Sequence, residues 1–127
     1  MFRTLWIGVL FSCASAPTGD WSGTRECEGE EAQVMQVRLD PVGSGWQGLG
    51  QVEWDDTNLG ERFLLFDLEM RRDGGDWVSE LRDCGLEWGG VIEDTGCPKI
   101  ELRYEDEEDP VLVGDLVGCP VRLALER

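Results

Sequence analysis

Histidine is absent from this chain. That excludes imidazole acid–base catalysis, imidazole-ligated metal sites and every Ser-His or Cys-His triad. Lysine is scarce too: Lys99 is the only one, among 11 basic residues set against 27 acidic ones. A formal charge of −16 repels phosphate backbones and anionic headgroups alike, so nucleic acid is excluded as a partner. No apolar run reaches the roughly 20 residues that a membrane-spanning helix needs. No Cys-x-x-Cys pair occurs, and the spacings 84 − 27 = 57, 97 − 84 = 13 and 119 − 97 = 22 match no zinc module. Nothing calls for a cofactor, and no nucleophile–base arrangement can be named, so the chain reads as a non-enzyme.

What is present begins at the amino end. Residues Met1 to Ser12 place Arg3 ahead of a mostly apolar stretch, Thr4 to Phe11, and then a small residue. That order is the layout of a signal peptide. Two cleavage sites compete. Ala14-Ser15-Ala16 has the small-x-small pattern, but it would leave Pro17, which lacks an N–H, as the first mature residue. Leu10-Phe11-Ser12-Cys13 resembles the bacterial lipobox. The resemblance implies that Cys13 carries a diacylglycerol and that the new amino terminus is often acylated too. More than one chain matters, because a single acyl chain anchors only marginally. Ala14 stands where an Asp often retains such proteins at the inner membrane, which favours an outer membrane where the cell has one. The competing reading, a buried and unmodified Cys13 in a first strand or helix, leaves the basic–apolar–small order unexplained.

The expected organisation is therefore a signal peptide over 1–12, a lipidated Cys13 with a tether to residue 19, and one β domain over 20–127. Loss of Arg3 with the leader gives the mature part a charge of 10 − 27 = −17. A chain of this size buries a modest core, and cross-links would add to it.

Period-2 patterning runs through the domain. Met35, Val37 and Leu39 alternate with polar residues, as do Ile100, Leu102 and Tyr104, and Val121, Leu123 and Leu125. Residues 60–72 are the one serious helix rival, but Phe66, Leu68 and Met70 fit alternation better than helical spacing. Asp40-Pro41, Gly43-Ser44-Gly45, Asp73-Gly74-Gly75-Asp76, Gly89-Gly90 and Asp109-Pro110 mark turns. The pattern predicts an all-β, small antiparallel meander, closed as a barrel or sandwich of about seven to eight strands. Gly19-Asp20-Trp21 at the first strand resembles the opening of lipocalin- and avidin-type barrels. That likeness implies an arginine of the last strand packed over the tryptophan, and Arg122 is the counterpart.

With Cys13 lipidated, Cys27, Cys84, Cys97 and Cys119 remain, an even number in an exported chain. In a closed meander the first and last strands are antiparallel neighbours, which brings Cys27 near Cys119. Cys84 and Cys97 flank Gly89-Gly90 and would staple one hairpin. The expected disulfides are 27–119 and 84–97, and four reduced cysteines holding a metal is the disfavoured alternative.

Of the acidic runs, Glu105 to Asp109 reads as a solvated hairpin loop rather than a calcium site. Asp55 to Glu61 fails the EF-hand frame, because Gly60 falls at position 5 when Asp56 is position 1. Trp21, Trp46, Trp54, Trp77 and Trp88 would mostly pack the core. Trp46 and Trp88, beside turns, are the candidate ligand or partner contacts. Two readings follow: an interaction or structural module of the cell envelope, or a small-ligand binder using a barrel interior lined by Trp21, Phe66 or Trp77. The membrane is a partner through the lipid in both.

Overall fold

A computed structural model describes residues 17–56, 60–106 and 108–126. Cys13 and the leader lie outside the described residues, as do 57–59 within the Asp55–Glu61 run and residue 107 within the acidic loop. The described residues form nine strands: β1 Gly19–Arg25, β2 Gln33–Val42, β3 Gly45–Asp56, β4 Gly60–Asp73, β5 Asp76–Trp88, β6 Val91–Asp94, β7 Ile100–Glu105, β8 Val111–Leu116 and β9 Cys119–Leu125. Nine strands correct the expected seven to eight. The four-residue β6, with every residue exposed, is too short to carry a period-2 signal. Residues 60–72 fall within strand β4, not a helix.

All neighbours are antiparallel, in the order β6-β5-β4-β3-β2-β1-β9-β8-β7. The first strand pairs with the last, Trp21 opposite Leu125 and Arg25 opposite Val121. The sheet curls into a half-barrel until β5 stands beside β7. Among the described residues no backbone ladder joins those two strands. Ser79 spans the seam instead: the Leu102 N–H donates to Ser79 Oγ at 2.7 Å, and the Ser79 hydroxyl donates to the Leu102 carbonyl at 3.3 Å.

Tight curling needs strands without side chains at the points of closest approach. A Cβ on Gly48 would overlap the Arg38 carbonyl oxygen, and one on Gly114 would overlap that of Glu101. Inward-facing residues fill the concave side. Met35, Leu39, Leu68, Leu112 and Leu123 have no exposed surface, and Trp21, Val37, Val52, Phe66 and Leu102 keep only 2–3%. Pro17, just ahead of β1, is buried as well.

The two disulfides join Cys27 to Cys119 and Cys84 to Cys97, with Cα separations of 4.9 and 5.2 Å. The first ties the end of β1 to the start of β9. The second ties β5 to the segment that leads from β6 into β7. Both sit in one half of the molecule, the far pole, where β1, β3, β5 and β8 end. The opposite, or entry, pole holds residues 17 and 18 and the turns β2–β3, β4–β5 and β7–β8.

Candidate functional site

Trp46 and Trp88, both beside turns, lie at opposite poles, and each belongs to a cluster. Trp46 is the second residue of β3, directly after the Gly43-Ser44-Gly45 turn. Its ring meets Trp77 of β5 at 5.5 Å, Trp77 meets Tyr104 of β7 edge-on at 6.3 Å, and Tyr104 meets Trp21 of β1 at 6.1 Å. Offset and edge-on pairs of this kind each add about 0.5–1.5 kcal/mol beyond area burial. The Trp77–Tyr104 contact crosses the seam between β5 and β7, as Ser79 does.

The indole N–H groups hold the incoming chain. Trp21 Nε1 donates to the Pro17 carbonyl at 2.8 Å, and Trp46 Nε1 donates to Thr18 Oγ1 at 3.2 Å. The Arg72 guanidinium lies 5.0 Å from the Trp77 ring centre and donates to the Gly75 carbonyl. Burial, together with the charge of Asp106 and a hydrogen bond to it, pushes the Tyr104 phenol above its ordinary 10.0, so it stays protonated. Trp46 is half-buried, so it serves this cluster before any outside contact.

The far-pole cluster is a single row across three strands, with Trp54 opposite Arg62 and Arg62 opposite Trp88. Alternation from Phe66, Leu68 and Met70 puts Arg62 on the concave face of β4, between the two indoles. Its guanidinium carbon lies 5.9 Å from the Trp54 ring centre and 5.1 Å from that of Trp88. Such contacts are each worth about 0.5–1 kcal/mol, and more where water is excluded. Trp88 ends β5 because Gly89 and Gly90 follow at φ 57° and 83°, the paired positive values of a type I′ hairpin. All three side chains remain half-buried.

One carboxylate pair had no signal in the sequence. The β4–β5 register shifts between Leu65 and Asp67, and Asp83 takes φ 51° at that bulge. Asp83 thereby reaches Asp67. Burial, then the hydrogen bond to Asp83 and its charge, raise the Asp67 carboxyl above its ordinary 3.8. The pair lines an open groove of about 530 Å³ on the convex face, with Asp20, Arg38, Leu49 and Leu65. Two carboxyls sharing a proton can donate or accept one, and among the described residues the groove is lined by no Ser, Thr, Cys or Lys.

The other sequence candidates disperse. Trp21 is sealed in the core, edge-on to Tyr104, while Arg122 alternates to the exposed side of β9. Glu105 ends β7 and Asp106, Glu108 and Asp109 lie between it and β8, while Asp55 and Asp56 end β3 and Gly60 and Glu61 begin β4. Among the described residues, no three His, Cys, Asp or Glu side chains are grouped to hold a metal ion. Comparison with protein-family models, with curated proteins and with solved structures finds no match to this chain.

Proposed function

We propose that this chain is an exported lipoprotein, anchored in the cell envelope through lipid on Cys13, whose β domain acts as a non-catalytic interaction or structural module. Two disulfides support the export, because such bonds persist in oxidising compartments. Ala14 favours the outer membrane where one exists. In this reading the half-barrel works as a closed barrel, sealed at its seam by Ser79 and by the Trp77–Tyr104 contact.

The filled interior carries the choice of module over small-ligand binder. Trp21 and Phe66, two residues that would line a ligand cavity, are 2% and 3% exposed and belong to one packed core. Trp77, the third, is taken up by Trp46, Tyr104 and Arg72. A barrel that binds a small molecule keeps that space open. A partner is left with the outer surfaces and the rims, among them the half-buried row Trp54–Arg62–Trp88, which combines aromatic area with charge.

Mass spectrometry of the protein from its native cell tests the address. The expected result is acyl mass on an amino-terminal Cys13, with 27–119 and 84–97 peptides under non-reducing conditions. A chain that begins elsewhere and carries no lipid overturns the reading.

A further inference from the structure

The entry pole is where the chain would leave for its lipid, and the structure pins it there. Pro17 is buried with its carbonyl on the Trp21 indole, and Thr18 accepts from Trp46. From Pro17 back to Cys13 is 17 − 13 = 4 residue steps, which at full extension reach about 14 Å. A tether that short cannot carry the domain around to present its far pole to the bilayer, because strands as long as β4, with 14 residues, separate the two poles.

We infer that the domain stands end-on at its membrane, with the Trp46–Trp77 pole against the headgroups and the Trp54–Arg62–Trp88 pole facing away. The inference rests on the lipid anchor at Cys13. The chemistry of the pole suits the boundary region: two half-buried indoles, the Arg72 guanidinium stacked on one of them, and Val42 with 55% of its surface exposed at the β2–β3 turn. Indole and arginine favour the layer between water and acyl chains. The same pole carries the carboxylates of Asp106, Glu108 and Asp109. Those repel an anionic leaflet, so the surface it rests on is zwitterionic.

The test uses the full lipidated protein, purified from envelopes and incorporated in phosphatidylcholine vesicles whose acyl chains are brominated near the headgroup. Tryptophan quenching is read for the parent chain, for Trp46→Phe with Trp77→Phe, and for Trp54→Phe with Trp88→Phe. The expected result is quenching in the parent and in the far-pole variant, and a marked fall in the entry-pole variant, where the buried Trp21 is the indole left at that pole. A further variant keeps the domain untouched and inserts a long Gly-Ser spacer after Ala16. It should lose the quenching, because the tether then no longer holds the pole at the surface. Acyl mass on Cys13 is checked on each sample. Equal quenching in both double variants, or quenching that survives the spacer, overturns the orientation and leaves the anchor standing. A chain without lipid overturns the anchor, and the orientation falls with it.

Discussion

At the entry pole, four aromatic rings from β1, β3, β5 and β7 form a continuous chain of contacts, and two indole N–H groups hold the incoming Pro17 carbonyl and Thr18 hydroxyl. At the far pole, two disulfides tie β1 to β9 and β5 to the approach of β7, and a smaller, half-buried row of two indoles and one arginine lies in the same half. Both poles face the same difficulty, a curled sheet whose end strands are not joined by a ladder. One is closed by packing, which acts within the folded state. The other carries two covalent links, of which 84–97 bears on the seam and 27–119 joins strands already paired, and the main effect of both is to restrict the unfolded chain. The two should therefore respond differently to reduction, truncation and pH.

The sharpest break comes at the far pole. Replacing Cys27 and Cys119 by Ser opens a loop with a sequence separation of 92. Loop-closure entropy then predicts a loss of about 4–5 kcal/mol in urea unfolding. The 84–97 link, with a separation of 13, should cost about 3 kcal/mol by the same reasoning. If the shorter loop proves the costlier to open, the entropic account of this pole is wrong.

Next comes Trp77→Ala at the entry pole, which removes the ring that touches Trp46, Tyr104 and Arg72 together. The expected cost is about 3 kcal/mol, in the range for truncating a packed tryptophan. Trp88→Ala should cost less, because its ring is at the rim of a three-residue row. Equal losses would remove the distinction between a pole held by packing and one held by disulfides.

Between the poles, Ser79→Ala leaves the Leu102 N–H without its seam partner. That should cost about 1–2 kcal/mol, and hydrogen exchange at Leu102 should quicken while β1 and β9 stay protected. Protection that is unchanged at Leu102 would mean that the seam is sealed by other contacts.

The smallest effect belongs to Asp67, on the barrel wall away from both poles. Its folded carboxyl titrates above the ordinary 3.8, so the folded chain binds this proton more tightly than the unfolded one. The contribution is fully present below about 3.8 and is lost as pH rises through the raised value. Asp67→Asn should therefore raise the melting temperature slightly at neutral pH, with no gain in strong acid. A gain that is the same at both ends of the pH range would show that the Asp83 pair is not its source.

Much of the fold was legible because alternation is a local property. Met35-Val37-Leu39 and Val121-Leu123 announce strands with one buried face, and Gly89-Gly90 announces its hairpin, whatever the rest of the chain does. The strand β6 was not legible, since four exposed residues carry no periodicity. Neither was the Asp67–Asp83 pair, because a bulge between β4 and β5 depends on how two distant strands fit and leaves no mark in composition.

By itself, then, the sequence determined an acidic, histidine-free, all-β domain with an even set of four cysteines behind a leader-like segment, since charge, composition and period are additive along the chain. Only the tertiary structure decided that Trp46 and Trp88 belong to opposite poles, that the first cluster seals a seam and grips Pro17 and Thr18, and that Arg62 lies between two indoles. Those facts turn on which strands become neighbours and in what register, and on how far the sheet curls before its two ends meet.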